Sequence, residues 1–262
     1  MTKFYKDRQQ IVTWLDEYEV KNYKLLPDEK YGFIVNINGS VDLSDKKLLN
    51  IPVKFNEVNG DFNCIDNQLT SLEFSPTNIK SGFYCHSNKL TSLEFSPQKV
   101  GGSFLCNSNK LTSLEFCPKI IGGGFSCSNN KLTSLEFSPQ TVSGDFSCSY
   151  NKLTSLKFSP QTVVDRFYCG NNQLTSLEFC PHTLEGNFYC ENNQLKSLEF
   201  CPQTVGEKFY CRNNPKLKEI QEITNFKLIL LEHKKILITK FSDKLESDLI
   251  NDKSKKNARI KI

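Results

Sequence analysis

The sequence predicts an elongated solenoid built from one repeated coil, and three observations lead there. Cysteines stand at Cys64, Cys85, Cys106, Cys127, Cys148, Cys169, Cys190 and Cys211, each 21 residues after the last. An apolar pattern recurs around them, with Phe two residues before (Phe62 to Phe209), Leu five and eight after (Leu69, Leu72), Phe ten after (Phe74) and Pro twelve after (Pro76). Asn follows each Cys by three, at Asn67, Asn88, Asn109, Asn130, Asn151, Asn172, Asn193 and Asn214. A fixed period of about 20–50 residues marks stacked repeats. A unit this small is stabilised by its neighbours, so the array must fold as a whole.

Within a coil, Phe-x-Cys alternates with period two, which puts both side chains on one face of a short strand. Asn-x-Leu ends that strand and turns the chain inward. The Leu-x-x-Leu-x-Phe stretch is expected to be extended and to return along the opposite wall, with its Phe and the following Pro also inward. Pro breaks it, and Gly (Gly102, Gly123, Gly144, Gly186) opens the next turn. A stacked column of asparagines is expected to bond backbone groups that the tight turns leave unpaired. A triangular β-helix is the rival architecture, since three extended faces per 21 residues also fit.

Leu43 lies 21 residues before Cys64, with Val41, Leu48, Ile51 and Val58 in matching places and Lys46 where the others have Asn. This degenerate coil brings the expected array to nine coils over residues 41–220, about 43 Å long at roughly 4.8 Å per strand. Residues 1–40 read as an N-terminal cap. Ile11, Trp14, Leu15 and Tyr18 have helical spacing, predicting a helix near residues 7–18. A hairpin follows, from Tyr23–Leu26 through a Pro27-Asp28 turn to Phe33–Ile37. Residues 221–262 read as a C-terminal cap and basic tail: a closing hairpin from Phe226–Leu231 and Ile236–Ile238, a short helix around Ser242–Ile250, and a frayed end from Asn251 to Ile262.

The string Phe146-x-Cys148-x-x-Asn151-x-Leu153-x-x-Leu156 resembles the leucine-rich repeat consensus L-x-L-x-x-N-x-L, with Phe and Cys in the first two apolar places. The length and the phrase "NKLTSLEFSP" are similar to the short subclass found in bacterial type III effector proteins, and Cys-bearing arrays also occur in phage and large-DNA-virus proteins. The resemblance covers about residues 41–220. It implies a right-handed leucine-rich repeat solenoid that binds a protein partner on its concave sheet. Phe and Ser-Pro replace the Pro-rich return segment of the effector subclass, so a more strand-like convex wall is expected.

The net charge of +4 is unevenly placed. Residues 233–262 carry nine Lys/Arg against four Asp/Glu, a balance of +5, which leaves −1 for the rest. The array thus lacks a basic face, which argues against nucleic acid as a partner. The polar start and the brevity of the apolar runs argue against a leader peptide and against membrane insertion. The cysteines form no C-x-x-C pair and read as reduced packing residues of a cytoplasmic protein, in the host cytosol if it is virus- or effector-derived. Cys117, Cys180 and Cys201 stand where Ser stands elsewhere, and Cys180 with Cys201 could form a bridge. Glu73, Glu94, Glu115, Glu136, Glu178 and Glu199 form a solvated column, broken by Lys157 and offset by Lys89, Lys110, Lys131 and Lys152. No cofactor, metal site or catalytic constellation is expected, so the chain reads as a non-catalytic scaffold. A spacer without a specific partner is the bland alternative.

One set of positions varies where the rest hardly do. The places before and after each Cys point outward, and among them Tyr84, His86, Tyr168, Tyr189, Glu191, Tyr210 and Arg212 stand out, with Arg166 and Lys208 nearby. This aromatic and Arg content matches that of binding hot spots, so these residues are the candidate partner-binding site.

Overall fold

A computed structural model describes residues 4–217 and 226–259, except for the side chains of residue 243 and of 245–259. It is a parallel β-solenoid. Two-residue strands beginning at Val41, Phe62, Phe83, Phe104, Phe125, Phe146, Phe167, Phe188 and Phe209 form one nine-stranded sheet in strict chain order. Register is held without slippage: Phe125 pairs with Phe104 on one side and Phe146 on the other. Each coil donates to the next, as in Phe83 N–H to the Ser103 carbonyl and Cys85 N–H to the Leu105 carbonyl, both 2.9 Å. The degenerate first coil takes its expected place, with Val41 opposite Phe62.

A second ladder runs beside the first. Residues fifteen after each Cys (Ile79, Val100, Ile121, Val142, Val163, Leu184) are buried and end a second two-residue strand per coil. These strands pair in parallel, first as part of a six-stranded sheet and then as two pairs. Strand structure therefore occupies the stretch after Pro, not the Leu-x-x-Leu-x-Phe stretch. The latter is a turn closed by Ser96 N–H on the Leu93 carbonyl at 3.0 Å and by its equivalents.

That turn corrects the inward assignment of the tenth residue. Phe74, Phe95, Phe116, Phe137, Phe158 and Phe179 have φ of 67–71°. The left-handed backbone swings the ring outward, and Phe95 is 50 % exposed. The inward places belong to Phe and Cys of the strand, the two leucines, Pro and the residue at fifteen. The phenylalanine before each Cys stacks on the next, with centroids 5.0–6.0 Å apart from Phe62 to Phe209.

The asparagine ladder is bonded as the turns require. Asn151 Nδ2 donates to the carbonyls of Cys127, Cys148 and Ser149, and its Oδ1 accepts from Leu132 N–H at 3.0 Å. Each Asn thereby ties its own coil to the preceding one. A second device was not foreseen: the residue before each Asn (Asp66, Ser87, Ser108, Asn129, Tyr150, Asn171, Asn192, Asn213) has φ of 51–56°, a conformation that short polar side chains tolerate best.

At the N-terminus, helix α1 (Arg8–Glu17) begins at Asp7, whose carboxylate accepts from Gln10 N–H, and it buries Ile11, Trp14 and Leu15. Strands β1 (Tyr23–Asp28) and β2 (Gly32–Ile37) form the expected antiparallel hairpin, but Pro27 and Asp28 pair with Phe33 and Gly32 inside it. The turn lies at residues 29–31, where Lys30 and Tyr31 N–H donate to the Asp28 carboxylate. β2 then pairs in parallel with β4 (Phe55–Val58), which follows β3 (Val41–Asp42), so the hairpin closes the second sheet.

The C-terminus differs from expectation. A single helix, α2, runs from Phe226 to Arg259 and replaces the hairpin, the short helix and most of the frayed tail; residues 260–262 lie outside the described ones. Phe226, Ile229 and His233 are buried on one helical face, a spacing that also reads as two short β-prone runs. No helix among the described residues is long and apolar enough to cross a membrane.

Candidate functional site

The place before each Cys, and before Leu43 in the first coil, forms the outward face of the nine-stranded sheet, reading Asp42, Asn63, Tyr84, Leu105, Ser126, Ser147, Tyr168, Tyr189 and Tyr210. Because register is strict, like side chains meet like. Tyr168 stacks on Tyr189 at 4.4 Å and Tyr189 on Tyr210 at 4.6 Å, with planes 7° and 6° from parallel. All three rings are half-buried. The stack is a rigid aromatic plate with one edge in solvent, which holds contact surface at little entropic cost on binding.

Around the plate, Arg166 lies 4.0 Å from the Asp145 carboxylate and 3.7 Å from that of Asp165, and its Nη1 donates to the Tyr168 hydroxyl at 3.4 Å. Arg166 is therefore partly committed within the chain. Lys208 is exposed, and its backbone N–H is bonded to Asn187 Oδ1 at 2.8 Å. Glu191 lies over Gly170, where a Cβ would meet its carboxylate at 2.9 Å. Burial raises the Glu191 pKa, and its Oε2 is buried with no hydrogen-bond partner among the described residues. Arg212 is exposed in the next coil.

Tyr84 and His86 do not join this group. Three coils separate them from Tyr168, and the face between holds Leu105, Ser126 and Ser147. Tyr84 leans over Gly82 toward Asp61; burial, with the Asp61 carboxylate adding, raises its pKa. His86 meets Ser87 Oγ at 3.2 Å, and burial lowers its pKa. The nine candidate residues thus form a C-terminal cluster and a separate pair.

Between them lies a feature the sequence reading missed. Small side chains at Ser126 and Ser147 leave an open depression of about 490 Å³, lined also by Leu105, Asp145, Asp165 and Tyr168. The signal was present: in the outward column, small residues interrupt a run of tyrosines.

The cysteines are all free thiols, Cys180 and Cys201 included. Cys180 Sγ donates to the Phe200 carbonyl at 3.2 Å. Six of the strand cysteines likewise donate to the carbonyl before the next Cys, as Cys148 does to Tyr168 at 3.4 Å. Burial pushes the thiols upward, Cys64 to about 12, which suppresses the nucleophilic thiolate. Among the described residues, no three His, Cys, Asp or Glu side chains converge as metal ligands. No ion pair there joins the Glu column to Lys89, Lys110, Lys131 or Lys152.

No family model matches this chain, and no curated protein matches it.

Proposed function

We propose that the chain is a non-catalytic scaffold that holds a protein partner on the outward face of the nine-stranded sheet, toward its C-terminal half. The observation that carries this reading is the Tyr168–Tyr189–Tyr210 stack, a half-exposed aromatic plate beside an open depression. Such plates are the usual anchors of protein interfaces. The Arg166 side chain at its edge and the Asp145 and Asp165 carboxylates supply a polar rim.

Eleven free cysteines suit a reducing compartment, which supports a cytoplasmic location. The similarity of the repeat to effector and viral arrays supports a partner belonging to a host cell. The test is affinity capture from cell extract with the wild-type chain and with Tyr168→Ala/Tyr189→Ala/Tyr210→Ala. A specific protein retained by the first and lost by the second, at equal melting temperature, supports the reading. Identical capture by both would leave the plate without a role, and capture of nothing specific by either favours a spacer.

A further inference from the structure

The opposite side of the coil carries a second feature that this function does not use. Phe95, Phe116, Phe137, Phe158, Phe179 and Phe200 are each 42–50 % exposed. They recur once per coil, so they form a straight ridge with a ring roughly every 4.8 Å. Each phenylalanine has on the order of 200 Å² to offer, so the ridge leaves about 500 Å² of aromatic surface in water. That is the size of the largest apolar patch on a typical monomer, about 300–600 Å², which is often functional.

The turn itself does not require Phe. It is closed by a backbone hydrogen bond, such as Cys117 N–H to the Leu114 carbonyl at 2.9 Å. A left-handed φ is disfavoured for a bulky residue by roughly 1–2 kcal/mol, whereas Gly or Asn adopts it readily. Phe nevertheless stands there with φ of 67–71° in five successive coils, from Phe95 to Phe179, half in water; Phe200 continues the ridge without that left-handed φ. Observed strain of this kind points to use.

Three contacts within the chain show what these rings accept. Phe74, the first of the column, is covered: Phe4 stacks on it at 4.3 Å and Tyr31 meets it edge-on at 5.9 Å. Lys6, Lys30 and Lys54 surround that point together with Glu73. Further along, Lys157 Nζ lies 5.0 Å from the centre of the Phe158 ring and Lys119 Nζ lies 5.9 Å from that of Phe137. The occupants are aromatic rings and ammonium groups. Beside the ridge runs an exposed acidic fence of Glu94, Glu115, Glu136, Glu178 and Glu199, interrupted by Lys157; the backbone N–H groups of all six are fixed by serine hydroxyls two residues earlier. At its far end Glu178, Phe179, His182, Glu199 and Phe200 line an open depression of about 420 Å³.

We propose that this ridge is a second binding face whose ligand is a protein segment presenting aromatic side chains next to lysine or arginine. The N-terminal arm, with Phe4 and Lys6, is the intramolecular instance of that ligand, seated on the first ring; the ridge continues the same interface over six more. A second copy of the chain fits poorly. Its acidic fence would meet this one, and about 500 Å² falls short of the roughly 800 Å² per partner of a standard interface. A basic, aromatic peptide matches both the charge and the area.

The test uses the full chain and a fluorescent nine-residue peptide repeating the arm's Phe-Tyr-Lys sequence three times, read by anisotropy. The variant is Phe116→Asn/Phe137→Asn/Phe158→Asn, chosen because Asn relaxes the left-handed backbone and keeps the coil folded. The wild type should bind the peptide, the variant at least tenfold more weakly at an unchanged or higher melting temperature. A peptide with Glu in place of each Lys should also lose at least tenfold. Tyr168→Ala/Tyr189→Ala/Tyr210→Ala should bind like the wild type. The proposal is overturned if the wild type does not bind, if the Asn variant or the charge-reversed peptide binds equally well, or if the tyrosine variant loses binding.

Discussion

Phe226, the first residue of α2, stacks on Phe209, the last phenylalanine of the repeat, with ring centres 5.3 Å apart and planes 26° from parallel. The helix thereby continues the internal ring column one step beyond the final coil. At the other end Phe55 meets Phe62 at 5.3 Å, and Trp14 of α1 meets Phe55 at 6.4 Å. Both open ends of the core are closed by an aromatic residue from a non-repeating element.

Phe226→Ala should therefore release α2 from the array. Truncating a buried aromatic costs about 3–5 kcal/mol, more than one docked helix face is expected to spare. Hydrogen exchange should show loss of protection in the last coil and α2, with coils near Phe125 unaffected. Uniform loss along the array would argue against a local lid.

His233 supplies another tie of α2, its Nε2 accepting from Leu198 N–H at 3.2 Å. Burial, helped by Lys240 and opposed by Glu199, lowers its pKa below 6.5. A depressed folded pKa gives stability that is present above 6.5 and lost as pH falls through the folded value. Protonation also removes the acceptor. Exchange of the Leu198 amide, corrected for intrinsic rate, should accelerate between pH 7 and pH 5, and His233→Gln should flatten that dependence.

The cysteines predict an alkaline limit. Burial raises all eleven thiols above their ordinary value of 9.0. A raised folded pKa leaves stability intact below 9 and removes it above, as thiolates form in the unfolded chain. Each thiol contributes about 1.4 kcal/mol per pH unit in that window. Urea midpoints should fall steeply from pH 9 to 10, and Cys127→Ala/Cys148→Ala should soften the slope by about two protons. Equal midpoints at pH 8 and 10 would refute it.

Asn151 tests the ladder. Asn151→Leu leaves Leu132 N–H buried without its acceptor, at about 1–3 kcal/mol. The Cys127, Cys148 and Ser149 carbonyls each keep a second donor, from Asn130 Nδ2, Asn172 Nδ2 and Asn129 N–H. Asn151→Asp keeps an acceptor but turns an anion toward three carbonyl oxygens, and should be at least as harmful. Both should lower the unfolding free energy read from urea titration by at least about 1–3 kcal/mol without changing the slope, since the folded shape is retained.

What the sequence disclosed follows from how local each signal is. Phe-x-Cys and the Asn column repeat with little variation, so strand, inward face and turn bonding could all be read from spacing. The first coil was legible despite Lys46, because Val41, Leu43, Leu48 and Ile51 keep the apolar places. Phe74 and its equivalents were misplaced since an apolar letter after Leu-x-x-Leu looks inward; only the sign of φ turns it out. The two apolar runs in α2 were misread for a different reason: short β-prone runs match a buried helix face equally well. Tyr84 and His86 were counted with the C-terminal tyrosines on residue type alone, although 84 residues, or four periods of 21, separate Tyr84 from Tyr168.

Strict register also turns the chain into a ruler. Removing 21 residues from the middle of the array, or duplicating them, rejoins identical edges and changes the length by one rung, about 4.8 Å. The near-verbatim phrases that spell each rung would let a gene lengthen or shorten by slippage without spoiling the product. The spacing between the aromatic plate and the N-terminal arm is then a quantity that copy number sets, while chemistry at either end stays the same.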